Sequence, residues 1–260
     1  DAPFVIEIDA PESTAILRIA SFSEGSAARY DRFLRQSFAS IHAEGIRHLV
    51  IDLRGNRGGF INRGTELVAY LTDEPFPYIS HSIVRSSPLL RHKIRRGILF
   101  PGLMIALFRG SIGREIVAAW ENPAGIMDTL YWEPIVPQKP KRRFDGDVYL
   151  LVDGLSISNS SLVHHAIKSN RLGLSIGTPC GGTANGTFGN SADFMLPHSR
   201  ISGKISTIRI LSAQEDTSYL KDALPPDYFV PLTVEDFIRQ RDPQLDFARE
   251  LIRQKVALEE

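Results

Sequence analysis

The sequence lacks most of the features that would place it in a special class of protein. Its 260 residues include a single cysteine, which excludes an internal disulfide framework. The 30 Lys and Arg residues balance 30 Asp and Glu residues, so the overall charge gives no reason to expect a nucleic acid partner. No apolar run reaches the roughly 18 residues needed to span a bilayer. The chain starts at Asp1 without a basic and apolar leader, and we expect a mature or trimmed form.

What is present is the composition of a globular protein. The chain is 43% hydrophobic and 23% charged, which is ordinary for a folded domain. Its length allows one large domain or two small ones with a generous core.

Strand-like and helical patterns alternate from the start of the chain. Residues 14–20 and 48–53 are short apolar runs, and residues 27–42 between them carry apolar side chains at helical spacing. Ser26 predicts the N-cap of this helix and Gly45 its end. The second run is apolar without interruption, as in a strand buried on both faces of a sheet. The pattern therefore predicts the α/β class.

A serine-rich segment follows another strand-like run. Residues 148–152 end at Asp153 and Gly154, and the serines beyond them lead directly into a helical pattern. A strand that turns sharply into a helix at a serine is where acyl-transfer enzymes hold a nucleophile, and the helix N-terminus favours a developing oxyanion. The alternative is that Ser156 or Ser158 only caps the helix, a common structural role of serine.

Two glycine-rich turns flank the serine segment in the sequence. Residues 54–60 read RGNRGGF, and residues 177–186 read GTPCGGTANG. The spacing of the first turn fits neither dinucleotide-binding nor phosphate-loop patterns. Its glycines predict backbone that approaches another group closely or takes positive φ, although a purely structural turn would use them too. Cys180, in the second turn, has no histidine at fixed spacing and is predicted to be a turn residue.

The segment 82–141 differs from the rest and is predicted to be a helical, apolar insertion into a core formed by residues 1–81 and 142–260. The apolar run 98–108 is too short to span a bilayer and is broken at Pro101. We interpret the insertion as a cap or lid on the core. The alternative is weak contact of residues 91–108 with a membrane surface, because a basic cluster precedes the apolar run: Arg91, Lys93, Arg95 and Arg96.

Five segments, taken in chain order, resemble the motifs of the C-terminal-processing (tail-specific) serine peptidases. Residues 49–59 (LVIDLRGNRGG) resemble the family's Asp-Leu-Arg-x-Asn-x-Gly-Gly signature, and residues 153–160 (DGLSISNS) resemble its nucleophile segment. Residues 176–183 (IGTPCGGT) resemble the turn that follows the nucleophile. Residues 224–231 (LPPDYFVP) and 241–245 (RDPQL) resemble the closing segment and the start of the last helix. The resemblance covers nearly the whole chain outside the insertion.

The resemblance implies a crotonase-like stack of ββα units with a serine nucleophile at Ser158. It implies oxyanion donors at the N–H of Asn159 and at the N–H of Gly58 or Gly59. The position of the family's catalytic lysine is occupied by Thr183, which cannot accept a proton from serine at neutral pH. The peptide-reading PDZ module of the family is also absent from the sequence. A non-standard general base is therefore expected, as in the tricorn-like branch of the family.

The sequence does not identify that base. His164 and His165 follow Ser158 by six and seven residues on the same predicted helix. They would lie about 9–10 Å further along the axis, too far for a direct hydrogen bond. Being adjacent, they point in different directions and make no metal site. The remaining candidates have no motif to support them: His81, His92, Lys168 and Lys204.

Two functions follow from the resemblance. The first is a serine-type peptidase that forms an acyl-enzyme at Ser158 and takes a peptide or a protein C-terminal segment as its substrate. It needs no cofactor and no metal, and family members of this kind are expected in the bacterial cell envelope or periplasm, or secreted. The second is an inactive family member that binds a peptide or a hydrophobic ligand under the cap, as the retinoid-binding branch of the family does.

Overall fold

The computed structural model describes residues 2–108, 113–137, 143–183, 185–213 and 223–259. Its strands are β1 (Phe4–Asp9), β2 (Thr14–Ile19), β3 (His48–Asp52), β4 (Ile79–Arg85), β5 (Met127–Tyr131), β6 (Asp147–Val152), β7 (Leu174–Gly177), β8 (Gly186–Gly189), β9 (Ala192–Met195), β10 (Ser202–Ile205), β11 (Ile208–Ser212) and β12 (Tyr228–Phe229). Its helices are α1 (Ala27–Ala43), α2 (Ile61–Ala69), α3 (Pro88–Gly97), α4 (Pro101–Phe108), α5 (Arg114–Glu121), α6 (Asn159–Ser169), α7 (Val234–Ile238) and α8 (Pro243–Glu259).

The chain forms two compact units. The first comprises Asp1–Tyr78, Pro134–Asn185 and Ala213–Glu260. The second comprises Ile79–Glu133 and Gly186–Ser212.

The first unit is built on a six-stranded sheet in the order β1-β2-β3-β6-β7-β12. β1 pairs antiparallel with β2, and every other neighbouring pair is parallel. β3 and β6 lie side by side in register, with Asp52 opposite Leu151. Because the carboxyl ends of parallel strands emerge at the same edge of a sheet, the loops that follow β3 and β6 meet there.

The helices of the first unit follow from local sequence. Ser26 caps α1 by accepting a hydrogen bond from Arg29 N–H, and the apolar side chains of α1 that recur at helical spacing are buried. α8 packs on the sheet through a buried cluster that joins it to β3, β6 and β7: Val50, Tyr149, Leu151, Ile176, Ala248 and Ile252. The predicted α/β class is confirmed, while the crotonase-like arrangement of ββα units stays a prediction.

The second unit holds a four-stranded antiparallel sheet, β5-β4-β11-β8, and a β9–β10 hairpin, together with α3, α4 and α5. The segment predicted to be helical therefore also contributes β5 and most of β4. Residues 186–212, which the sequence pattern assigns to the core, lie in this unit because β11 pairs with both β4 and β8. Whether the second unit acts as a cap stays a prediction.

Candidate active site

Two loops at the carboxyl edge of the central sheet form the candidate site. The glycine loop, residues 53–60, follows β3, and the serine loop, residues 153–158, follows β6. Gly55 N–H donates to the Asp153 carboxylate at 3.0 and 3.1 Å, and Ile157 N–H donates to the Asn56 carbonyl at 3.2 Å. The serine loop is therefore fixed against the glycine loop by one backbone hydrogen bond and by the Asp153 carboxylate.

The serines of the serine loop have different roles. Ser156 is buried, and its hydroxyl donates to the Leu53 carbonyl at 2.9 Å, which ties the two loops together. Ser158 is half-buried at the N-terminus of α6, and its hydroxyl makes no capping hydrogen bond. Ser156 is thus committed to the fold, and the Ser158 hydroxyl is not used to cap the helix.

Ser158 has a strained backbone conformation. Its φ is 57° and its ψ is −122°, a region that side chains other than glycine rarely occupy. A sharp strand-to-helix turn with such a conformation at a serine is the geometry that exposes the hydroxyl of a nucleophile. The N–H of Asn159 and the positive end of the α6 dipole come directly after it in the chain.

Gly58 and Gly59, two of the three glycines of the glycine loop, lie against the serine loop and the segment that follows β2. Gly58 has φ +88°, and a Cβ on it would lie 2.6 Å from Ser158 Cβ and 2.8 Å from Asn159 N. Gly59 has φ +142°, and a Cβ there would lie 2.3 Å from the Phe22 carbonyl carbon. Both positions require glycine, because a side chain would clash with backbone on the neighbouring segment.

The Asn56 side chain holds the glycine loop against the end of β2. It is fully buried, its Nδ2 donates to the Ile19 carbonyl, and its Oδ1 accepts the N–H of Gly58, each at 2.8 Å. The N–H of Gly58 is therefore occupied. The N–H groups of Gly59 and Asn159 have no hydrogen-bond acceptor within the described part of the chain.

The Asn159 side chain connects α6 to the glycine loop. Its Nδ2 donates to the Phe60 carbonyl at 2.7 Å, and its Oδ1 accepts from the buried Tyr78 hydroxyl at 2.7 Å. A Cβ on Gly64 of α2 would lie 2.2 Å from that hydroxyl, so the packing here is close. The roles of Asn56 and Tyr78 are not predicted from sequence: Asn56 lies within the motif of residues 49–59, where no role is assigned to it, and Tyr78 lies in no motif.

The turn that contains Thr183 lies against the serine loop. A Cβ on Gly181 would come within 2.3 Å of Ile157 Cγ2 and within 2.4 Å of the Gly154 carbonyl oxygen. Three segments that are far apart in the sequence, around residues 58, 158 and 181, therefore meet at one edge of the sheet.

The three segments lie in the part of the chain that matches a known protein family. A model of peptidase family S41 matches residues 13–196, which is more than half of the chain. The chain belongs to peptidase family S41. This confirms the resemblance to C-terminal-processing serine peptidases that the sequence motifs indicate.

Solved structures of S41 proteases share the fold. Mature CPAF complexed with lactacystin superposes with a TM-score of 0.67 at 16% identity, covering 94% of this chain and 52% of that one. A peptidase-like protein from Parabacteroides merdae ATCC 43184 gives 0.59 at 17% identity, covering 96% and 64%. The photosystem II D1 C-terminal processing protease gives 0.52 at 16% identity, covering 88% and 48%.

These identities show a common fold and no more. The chain spans between 48% and 64% of the length of these three relatives. No curated protein sequence matches the chain.

Two other S41-like motifs hold the fold together around the site. Arg54 lies between the carboxylates of Asp52 and Asp242, with hydrogen bonds of 2.6–2.9 Å, and so ties the end of β3 to the start of α8. Asp227 accepts from Ser175 N–H and Oγ at 2.8 and 2.7 Å and pairs with Lys168 at 2.6 Å. Burial alone would raise the pKa of Asp227, but these hydrogen bonds lower it overall. Lys168 is thus engaged in an ion pair.

Both histidines of α6, His164 and His165, are buried. His164 Nδ1 lies 3.2 Å from Cys180 Sγ, and both side chains are buried. Burial, followed by electrostatic interactions with His165 and Lys168, lowers the pKa of His164 to about 3. Burial also raises the pKa of the Cys180 thiol to about 12, so it is no nucleophile.

No general base contacts Ser158 among the residues that the structure describes, since its Oγ makes no hydrogen bond there. In the second unit, His81 Nδ1 lies 2.7 Å from Ser80 Oγ, Lys204 pairs with Asp193 at 2.8 Å, and His92 is exposed. Across the described ranges, no group of three or more His, Cys, Asp or Glu residues could hold a metal ion. Within the same ranges, no helix is long and apolar enough to cross a bilayer.

Proposed function

We propose that this S41 chain is a serine peptidase that forms an acyl-enzyme through Ser158. The observation that carries the proposal is the backbone of Ser158, which is held in a strained conformation with a hydroxyl that neither caps α6 nor bonds elsewhere in the described structure. Strain of this kind costs about 1–3 kcal/mol and persists where function uses it. A residue that only caps a helix or lines a ligand pocket does not need this strained conformation.

The proposed chemistry proceeds in two steps. Ser158 Oγ attacks the scissile carbonyl carbon while its proton passes to a general base, and the carbonyl oxygen becomes an oxyanion. The tetrahedral intermediate then collapses, the C–N bond breaks, and the leaving amine takes up the proton. Water attacks the resulting ester by the same route, releasing the new carboxylate and restoring the serine.

The oxyanion is proposed to bind the N–H groups of Asn159 and Gly59. Asn159 lies at the first turn of α6, where the helix dipole adds to the donor. Gly59 is preferred to Gly58 as the second donor, because the N–H of Gly58 already donates to Asn56. In this proposal the role of Gly58 is structural. Because it has no side chain, the glycine loop and the serine loop can lie close together.

The general base is proposed to be a group other than the family lysine, since threonine stands at position 183. The described contacts argue against two candidates in the first unit. His164 is buried against Cys180 with a pKa of about 3, and Lys168 is paired with Asp227. Both would have to leave their partners to accept a proton from Ser158.

The substrate class is proposed to be a peptide or the C-terminal segment of a protein. Support comes from the family and from the C-terminal processing protease whose fold the chain shares. A location in the cell envelope or outside the cell stays a prediction from the family resemblance.

Labelling with a fluorophosphonate probe tests the nucleophile. We expect covalent labelling of the wild-type chain that rises with pH as the base loses its proton, and no labelling of Ser158→Ala. Cys180→Ser serves as a matched control at a second candidate nucleophile and should label like the wild type.

The result also separates the two functions. Absence of labelling between neutral and alkaline pH, in a chain whose circular dichroism shows it to be folded, would contradict the peptidase. It would favour a family member that binds a peptide or apolar ligand, which an environment-sensitive lipid-like probe would then detect equally in the wild type and Ser158→Ala.

A further inference from the structure

The second unit exposes a group of apolar side chains where α3 is followed by α4. We call it the apolar tip: Leu99, Phe100 and Leu103, which are 79%, 68% and 58% exposed. α4 itself, Pro101–Phe108, contains no polar side chain. Single exposed apolar residues are ordinary, but three large ones within five positions form a patch that marks an interaction surface.

The apolar tip is supported by the unit beneath it. Leu90 and Ile94 of α3 and Ile105 of α4 are buried, and Ser87 caps α3 through a hydrogen bond from Leu90 N–H at 3.1 Å. Phe100 sits at the bend with φ 50°, an unfavourable conformation for a bulky side chain. The buried positions thus hold the two helices in place while the bend faces solvent.

The chain segment that carries the apolar tip has charged residues of one sign. From residue 86 to residue 114 the sequence contains six Lys and Arg residues and no Asp or Glu, although the whole chain is neutral. Arg95 and Arg96 are exposed in the last turn of α3, one turn before the tip. Arg91 and Lys93 are hydrogen-bonded within the unit, to Asn122 and Ser191 respectively, and the Arg95 guanidinium lies 5.5 Å from the centre of the Trp120 ring.

A second apolar surface, on α7, is equally exposed but has different charged neighbours. Val234, Phe237 and Ile238 of α7 are 76%, 74% and 73% exposed, as much as the apolar tip. The carboxylates of Glu235 and Asp236 in the first turn of α7 pair with Arg239 and Arg241 at 3.0 and 2.8 Å. Exposure is therefore similar in the two places, but the charges beside α7 are paired, whereas the charged residues of the segment 86–114 are all basic.

We propose that the apolar tip, with Arg95 and Arg96, docks on an anionic lipid bilayer. Apolar side chains that enter the headgroup region next to basic residues are the physical pattern of interfacial binding. Each arginine near an anionic surface adds attraction that salt weakens. The helices lie on the surface in this proposal and do not cross the bilayer. The proposal does not depend on the chemistry at Ser158.

Cosedimentation with vesicles tests the docking surface. We expect the chain to bind vesicles of equimolar phosphatidylglycerol and phosphatidylcholine, and to bind phosphatidylcholine vesicles much more weakly. Raising the salt from about 0.1 M to 1 M shortens the screening length from about 10 Å to 3 Å and should release most of the bound protein. Arg95→Gln with Arg96→Gln should lower the partition coefficient roughly 30-fold.

Matched variants decide whether the apolar tip is responsible. Replacing its three residues by serine should lower binding at least about tenfold. The same triple replacement at Val234, Phe237 and Ile238 should leave binding unchanged. The proposal is overturned if anionic vesicles do not bind the chain at low salt, or if both triple variants bind alike. It is also overturned if the tip variant changes only self-association measured by ultracentrifugation, since the tip would then be a contact between copies.

Discussion

Gly58→Ala is the most informative single change, because its effect on stability and its effect on the reactivity of Ser158 can be measured separately. Alanine at φ +88° costs about 1–2 kcal/mol of backbone strain. The new Cβ would also lie 2.6 Å from Ser158 Cβ and 2.8 Å from Ile157 O, so backbone must move, which adds roughly 1–3 kcal/mol. The expected loss in the free energy of unfolding is therefore about 2–5 kcal/mol.

Gly55→Ala supplies the matched control. Gly55 lies in the same loop at φ +73°, but nothing lies within 4 Å of a Cβ built on it. The free energy of unfolding of Gly55→Ala should fall only by the cost of the backbone strain, about 1–2 kcal/mol, and its N–H should keep the hydrogen bond to Asp153. The difference between the two variants isolates the contact between the glycine loop and the serine loop.

Urea unfolding and fluorophosphonate labelling measure the two effects. Gly55→Ala should label within about twofold of the wild type. Gly58→Ala should label at least about 100-fold more slowly under conditions where it stays folded, because Ser158 and the oxyanion donor Asn159 are both displaced. If Gly58→Ala were no less stable than Gly55→Ala and labelled at the wild-type rate, the proposed site geometry would be wrong.

Three further changes test neighbouring parts of the structure. Arg54→Lys should lower the free energy of unfolding by roughly 2–3 kcal/mol, because a lysine ammonium cannot replace the two hydrogen bonds that the guanidinium makes to each carboxylate; an unchanged urea midpoint would contradict this. Wild-type stability should fall as pH drops from about 6.5 toward 3, by up to about 1.4 kcal/mol per unit, because the unfolded chain takes up a proton that folded His164 does not. The free energy of unfolding of His164→Gln, measured with urea, should depend less on pH than that of the wild type. An equal dependence on pH would argue against a buried neutral His164. Tyr78→Phe should cost about 1–2 kcal/mol and slow serine labelling, since Asn159 loses its donor. Tyr30→Phe, whose hydroxyl donates only to a backbone carbonyl, should cost similar stability without slowing labelling.

The sequence predicts the core of the first unit well because its signals are local. The uninterrupted apolar run at His48–Asp52 is a fully buried strand, as its composition indicates. Ser26 caps α1, and positive φ at Gly45 ends it, as expected. These features depend on residues within one helix or one strand, and such patterns survive in the folded chain.

The antiparallel sheet of the second unit has no comparable signal. Met127–Tyr131 alternates exposed and half-buried side chains, and its strand character comes from pairing with β4, more than forty residues earlier in the chain. The apolar stretch 205–211 contains the end of β10 and the start of β11, which belong to different sheets. Pairing over such distances is decided by tertiary contacts, to which local propensity gives little guide.

The candidate site is predictable in its residue types but not in its geometry. The motifs single out Ser158 and the pair Gly58 and Gly59, yet they leave open which glycine N–H is free. That choice depends on the Asn56 side chain, whose Oδ1 takes the N–H of Gly58. The distinction between Ser156 and Ser158 likewise depends on a contact with the Leu53 carbonyl about one hundred residues earlier.

The backbone of Ser158 bears directly on whether this position serves chemistry or packing. Its angles, φ 57° and ψ −122°, mirror an extended conformation that glycine adopts freely and serine does not. If the position served only the fold or a passive ligand, glycine would hold the same turn with less strain. We expect Ser158→Gly to be more stable than Ser158→Ala by about 1 kcal/mol, after allowing for the greater unfolded-state entropy of glycine, while neither variant reacts with the probe. A glycine variant that is no more stable than the alanine variant would mean that the turn is not strained at this residue, and the case for a nucleophile would lose its main support.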